Sequence, residues 1–132
     1  MDTSGIFGFL KNEGFADVSK MDYDEDIVVF KFLYEFNKPE LDAAKEYADE
    51  NYDEDNGEDE WYEEYYMPYL TDTAADNIRN VFDDIREEFE VEGDFIIYEM
   101  ERENTDGCEV VMAFANMEVE INLDDIIEDL NL

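Results

Sequence analysis

The amino-acid sequence predicts one α+β domain, in which about three to four helices pack on a small, mainly antiparallel sheet of about three to four strands. The chain has 132 residues, of which 45% are hydrophobic and 15% aromatic. Disordered acidic segments are poor in such residues, so the composition indicates a folded chain. The length suffices for one hydrophobic core, and we expect residues 1–132 to form a single acidic domain.

The first half of the chain contains the clearest strand. Residues 5–15 are apolar enough for a short helical segment of about one or two turns. Residues 26–36 carry apolar side chains on both alternating faces, which is typical of a central strand covered by helices. Asn37 then has the position of a helix N-cap, with Pro39 in the first turn, and apolar residues at helical spacing extend this helix to about Asn51.

The middle of the chain predicts two further helices. Residues 53–60 form a charged linker around Gly57, and a second helical piece begins near Trp61 and ends before Pro68. Thr73, followed by Asp76, resembles a capping box and predicts the start of a third helix, which Gly93 ends.

The last third predicts a hairpin and a final helix. Residues 95–101 have the alternation of a half-exposed strand, residues 104–107 form a turn, and residues 108–115 form the partner strand. Asn116 marks a bulge or a turn before residues 118–121. Asn122 is the expected N-cap of a C-terminal helix with acidic residues in its first turn.

Charge is the most distinctive property of the chain. It has 41 Asp and Glu, 8 Lys and Arg and no His, which gives a formal net charge of −33. Because self-repulsion of this size destabilises a compact state, we expect a function to select it. Without His and with Cys108 as the single cysteine, His-based catalysis, internal disulfides and the usual zinc ligand sets are disfavoured. We expect a non-catalytic protein without cofactor or metal.

The densest acidic stretch, residues 46–64, contains no Lys or Arg. Carboxylates three or four residues apart on a helix lie about 5–6 Å from each other, comparable with the phosphate spacing along a nucleic-acid strand. Trp61 and Tyr65 are expected to face the core, and the remaining rings to contact a partner. The predicted partner-binding residues are Asp49, Glu50, Asp53, Glu54, Asp55, Glu58, Asp59, Glu60, Tyr62, Glu63, Glu64 and Tyr66. A secondary acidic face, weakened by Arg79 and Arg86, comprises Asp83, Asp84, Glu87 and Glu88.

Other kinds of site fit the sequence less well. In an EF-hand with Gly57 at the sixth loop position, Tyr52 occupies the first, where an acidic ligand is needed. Asp22, Asp24 and Asp26 alternate before a strand but are followed by no glycine, so they predict weak cation binding at most. No carboxylate pair stands out as a magnesium-dependent active site. Adaptation to high salt is disfavoured because the acids are concentrated and large apolar residues are abundant.

In charge and size the chain is similar to small acidic phage and mobile-element proteins that mimic DNA, including antirestriction and anti-CRISPR inhibitors. The leading hypothesis is an inhibitor that occupies the basic nucleic-acid site of a nuclease or defence complex and does not bind nucleic acid itself. Neither a signal peptide nor a membrane span is predicted, so we expect it in the cytoplasm. The alternatives are an immunity protein for a cognate basic toxin and an acidic chaperone or adaptor for basic proteins.

Overall fold

A computed structural model describes all of residues 1–132 and contains four helices and a four-stranded antiparallel sheet, which confirms the predicted α+β class. The strands are β1 (Ala16–Asp22), β2 (Ile27–Glu35), β3 (Val91–Ile97) and β4 (Gly107–Asn116). Three helices are α1 (Thr3–Asn12), α2 (Lys38–Asn51) and α4 (Leu123–Leu130). Helix α3, residues 57–89, joins α-helical Gly57–Glu60, π-helical Trp61–Tyr66 and α-helical Met67–Phe89. None of the helices has both the length and the apolarity needed to span a membrane.

The strands lie in the order β1-β2-β4-β3, and all neighbours are antiparallel. Strand β2 therefore has a partner on each side, as its two apolar faces predict. One sheet face packs against α1, α2 and α3, and its buried side chains include Val28, Phe30, Phe32, Met112 and Phe114. On the other face, α4 contributes Leu123 and Ile126 to a smaller cluster with Ile27, Val29, Val111, Ala113 and Ala115.

Local capping signals place two helix starts correctly. The Asn37 side chain accepts from the Glu40 backbone N–H, and the Glu40 carboxylate accepts from the Asn37 backbone N–H. This reciprocal pair fixes the start of α2, in which Pro39 occupies the first turn. At α4 the Asn122 side chain accepts from the Asp125 N–H, as predicted.

The predicted division of residues 61–89 into two helices is wrong, because α3 continues through Pro68. Proline lacks an N–H, and in an α-helix its ring clashes with the carbonyl four residues earlier. The π-helical segment immediately before it relieves this conflict, since the Met67 N–H bonds to the Tyr62 carbonyl five residues back. Thr73 lies inside the helix, where its hydroxyl donates to the Tyr69 carbonyl rather than capping a new start.

Other predicted boundaries also shift. Helix α3 ends at Phe89, followed by Glu90 with a φ of 53°, and Gly93 lies within β3. A Cβ on Gly93 would lie 2.8 Å from the Ala113 carbonyl oxygen, so close strand packing explains this glycine. Residues 98–101 lie beyond the end of β3, residues 54–60 of the predicted linker form helical turns, and the edge strand β1 was not predicted.

Candidate partner-binding surface

Residues 46–64, which we call the acidic hairpin, comprise the end of α2, a 3₁₀ turn at Glu54–Asn56 and the start of α3. The two helices run antiparallel. The Trp61 indole Nε1 donates to Asp49 Oδ1 at 2.8 Å, while the Tyr47 ring lies 5.1 Å from the Tyr69 ring. These contacts fix one helix against the other, so the acidic hairpin is part of the folded domain and not a mobile tail.

Backbone and side-chain hydrogen bonds hold the connecting loop. Asp53 Oδ1 accepts from the Asp55 N–H at 2.9 Å. Glu60 Oε2 accepts from the Asp53 N–H at 2.9 Å and from Asn56 Nδ2 at 3.1 Å. Gly57 has φ 75° and ψ −164°, a conformation that is essentially restricted to glycine. Asp53 and Glu60, predicted as partner contacts, thus have a structural role in the loop.

The remaining predicted carboxylates divide into two groups. Asp49 and Asp59 are exposed, yet each accepts a hydrogen bond from a side chain of the protein. The second group is exposed and forms no side-chain hydrogen bond or ion pair within 4.0 Å. Its members are Glu50, Glu54, Asp55, Glu58, Glu63 and Glu64. We call these six the free carboxylates.

One cation enters the acidic hairpin from a distant part of the chain. Arg102, in the connection between β3 and β4, donates through Nη1 to Asp59 Oδ1 at 2.6 Å. Its guanidinium lies 4.6 Å from the centroid of the Tyr62 ring. The hydrogen bond to Asp59 raises the pKa of Arg102 above its usual value. Arg102 is not among the residues predicted from the sequence, because no local pattern connects it to residue 59.

The aromatic residues in and just after the acidic hairpin differ in burial. Tyr66 is only 4% exposed, and its ring stacks on that of Trp61 at 4.7 Å, so its predicted role as a partner contact is wrong. Trp61 and Tyr65 pack against the main core, as expected. Tyr62 is half-buried and keeps part of its ring at the surface. Tyr47, which is 41% exposed, was not among the predicted contacts.

The secondary acidic face lies on α3, where Asp83, Asp84, Glu87 and Glu88 are all exposed. Arg86 reduces its charge, because the guanidinium lies 3.9 Å from Asp83 Oδ1 and 3.4 Å from Glu92 Oε2. Arg79 lies nearby, with its guanidinium 4.9 Å from the Phe95 ring centroid. The acidic hairpin therefore has the larger set of free carboxylates and fewer nearby cations.

The other candidate residues, in the β1–β2 turn and at Cys108, bond within the protein or are buried. Asp24 accepts from the Asp26 N–H, and Asp26 accepts from Asn116 Nδ2, so both carboxylates stabilise the β1–β2 turn. No cluster of acidic or cysteine side chains has the arrangement of a metal site. Cys108 is buried, and burial raises the pKa of its thiol to about 11, so the thiolate is strongly disfavoured at neutral pH.

Comparison with protein-family models, curated proteins and solved structures found no match to this chain.

Proposed function

We propose that the protein is a non-catalytic inhibitor that mimics nucleic acid and blocks the basic nucleic-acid-binding site of a nuclease or defence complex. The observation that carries the proposal is the set of six free carboxylates, which two antiparallel helical segments and a hydrogen-bonded loop hold in place. Proteins that bind DNA obtain much of their affinity from Lys and Arg contacts to phosphates. An array of carboxylates on a fixed backbone offers the same Lys and Arg side chains an alternative partner.

The helix dipoles give independent support. The last turn of α2 contains Asp49 and Glu50 and no basic residue. Acidic side chains at this end are unfavourable, because the C-terminus of a helix carries partial negative charge. The first turn of α3 contains three more acids, where the dipole favours them. Acidic residues therefore occur at the end of α2, where they destabilise the helix, as well as at the start of α3, where they stabilise it. This distribution favours selection for the negative electrostatic potential at the protein surface.

Rigidity also supports binding. Arranging flexible side chains and loops on association costs about 0.5–1.5 kcal/mol for each immobilised side chain. The loop of the acidic hairpin already uses Asp53 and Glu60 to fix its backbone, and Trp61 is bonded to Asp49. A surface fixed before binding avoids the backbone part of this cost.

A competition experiment tests the proposal. The protein is used to capture its target from host lysate, and the fluorescence anisotropy of a labelled nucleic acid bound to that target is measured as the protein is added. We expect displacement of the nucleic acid at stoichiometric protein, and no binding of the nucleic acid to the protein alone. A ternary complex of protein, target and nucleic acid would overturn the proposal. Capture of a toxin whose nucleic-acid binding is unchanged would favour the immunity-protein alternative instead.

A further inference from the structure

A cavity of about 350 Å³ lies at the turn of the acidic hairpin. Its lining residues come from the end of α2, the 3₁₀ turn and the start of α3, and they are Tyr52, Glu54, Gly57, Glu58, Trp61 and Tyr62. The volume is at the lower end of the range for small-molecule sites, about 300–1,000 Å³. The site therefore has room for one side chain or a small organic ion.

The residues that line the cavity favour a cation as its ligand. Three aromatic residues, Tyr52, Trp61 and Tyr62, line the cavity, and aromatic faces attract cations. Glu54 and Glu58 add two carboxylates without ion-pair partners within the protein. The six lining residues include no Lys or Arg, and Arg102, which lies against the Tyr62 ring, is already bonded to Asp59.

The protein already pairs a guanidinium with one of these rings. Arg102 lies 4.6 Å from the Tyr62 ring centroid while it donates to Asp59 at 2.6 Å, so ring and carboxylate hold one planar cation together. The cavity adds two further rings, those of Tyr52 and Trp61, and the carboxylates of Glu54 and Glu58, and no internal arginine lies over either of these two rings. We infer that the cavity binds an arginine side chain of the basic partner. This inference rests on the proposed function only in assigning the arginine to that partner.

Arginine fits this site better than lysine. Its planar guanidinium stacks on aromatic faces and donates to carboxylates in a fixed fork, whereas the lysine ammonium is a compact and strongly hydrated point charge. The Trp61 ring is also held before binding, because its indole donates to Asp49 and stacks on Tyr66. Gly57 leaves the rim open, since even an added Cβ would have no atom within 4 Å.

The test uses a small probe and needs no macromolecular target. Trp61 is the only tryptophan, so its indole N–H gives a single NMR resonance that reports on the cavity. The probe is N-acetyl-arginine amide, and its lysine and citrulline counterparts are titrated in parallel at constant ionic strength. We expect a saturable shift of the Trp61 resonance with the arginine compound, weaker binding of the lysine compound and none of citrulline. Equal shifts with arginine and lysine, or no saturable shift, would overturn the inference.

Two variants locate the probe. Glu54→Gln with Glu58→Gln should weaken arginine binding about tenfold, as expected for the loss of a charge-assisted hydrogen bond. Glu87→Gln with Glu88→Gln removes the same charge from the secondary acidic face and should leave the affinity unchanged. Equal weakening by both pairs would show nonspecific attraction and overturn the inference. Because no nucleic acid or target is present, failure here is distinguishable from failure of the competition experiment.

Discussion

Arg102 and Asp59 are separated by 43 positions in the sequence, yet their side chains are joined by a hydrogen bond of 2.6 Å. Through this bond the β3–β4 connection is attached to the start of α3. It also places a positive charge in a segment whose own sequence contains none. The acidic hairpin is therefore partly neutralised at one point, next to Tyr62.

Removing this cation should have two effects. In Arg102→Gln, repulsion among the neighbouring carboxylates is no longer offset, so we expect a lower melting temperature at low ionic strength and a smaller difference at high salt. Association with the basic target should become faster, since the hairpin field is stronger. Thermal unfolding at two salt concentrations and stopped-flow association measure these effects. An unchanged melting temperature at both concentrations would show that Arg102 does not offset the repulsion.

Charge reversal should identify the contact surface. Changing Glu54, Asp55, Glu58 and Glu63 to Lys should weaken target binding by about two orders of magnitude or more. The matched control changes Asp83, Asp84, Glu87 and Glu88 to Lys, which alters the net charge equally and should have a smaller effect. Asp53 and Asp59 stay unchanged because they bond within the protein. With both variants folded by circular dichroism, a larger loss in the control would assign the contact to the secondary acidic face.

The net charge of −33 should make stability depend on salt. Screening of the carboxylates relieves repulsion in the folded state, so the melting temperature should rise with NaCl, most steeply below about 0.1 M, where the Debye length exceeds about 10 Å. Association with a basic target should slow over the same range. Differential scanning calorimetry over a salt series provides the test, and a flat response would show that the charges are already compensated locally.

A side chain at Gly57 should strain the backbone. Because its φ of 75° and ψ of −164° lie in a region restricted to glycine, Gly57→Ala should destabilise the protein by about 1–3 kcal/mol. Gly8→Ala is the control, since Gly8 lies inside α1 and an added Cβ would have no atom within 4 Å. That substitution should stabilise by about 0.5–1 kcal/mol. Urea denaturation measures both, and equal effects would exclude backbone strain as the cause.

Tyr34 should make stability depend on pH in the alkaline range. Its hydroxyl donates to Glu40 Oε2 at 2.7 Å and accepts from Asn77 Nδ2 at 2.6 Å. Burial, together with the bond to Glu40, raises its pKa from 10.0 to about 12. The unfolded chain therefore loses this proton first, and the associated stability is present below pH 10 and lost as the pH rises towards 12.

The Tyr34→Phe variant provides the comparison. At neutral pH it should be about 1–3 kcal/mol less stable than the wild type, because Glu40 loses a donor and Asn77 loses an acceptor. The difference between the two proteins should narrow as the pH rises from 10.0 to about 12. A constant difference, measured by denaturant unfolding across that range, would contradict the assigned cause.

The elements that the sequence predicts well have local signals. Asn37, Pro39 and Asn122 define helix starts by bonds within a few residues, and the alternation in β2 follows directly from its central position. Strand β1 is at the sheet edge, and the alternation of its less exposed residues, Ala16, Val18 and Met21, is interrupted by a register irregularity between Ala16 and Ser19, so the sequence pattern is weak. Pro68 is a strong local signal for a helix end, and the π-helical segment overrides it.

The candidate surface was predicted less completely than the fold. The local composition predicts the position of the acidic hairpin, because carboxylates at the surface need no tertiary contact to be exposed. The roles of Asp49, Asp53, Asp59 and Glu60 depend on partners that only the folded chain provides. Tyr66 was misplaced because helical spacing alone does not predict a change in winding within the helix.

That change in winding has a consequence for how the protein can vary. Tyr66, Leu70, Ala74 and Ile78 follow one another at intervals of four on the buried side of α3, whereas Trp61 stacks on Tyr66 from five positions earlier. Each residue of an α-helix turns about 100°. One residue more or fewer between 61 and 66 would therefore rotate the start of α3 by that angle relative to the rest of the helix. An insertion or deletion there would separate Trp61 from Asp49 and Tyr66 while Leu70, Ala74 and Ile78 keep their places in the core, so the length of this segment determines how the acidic hairpin is attached to the domain.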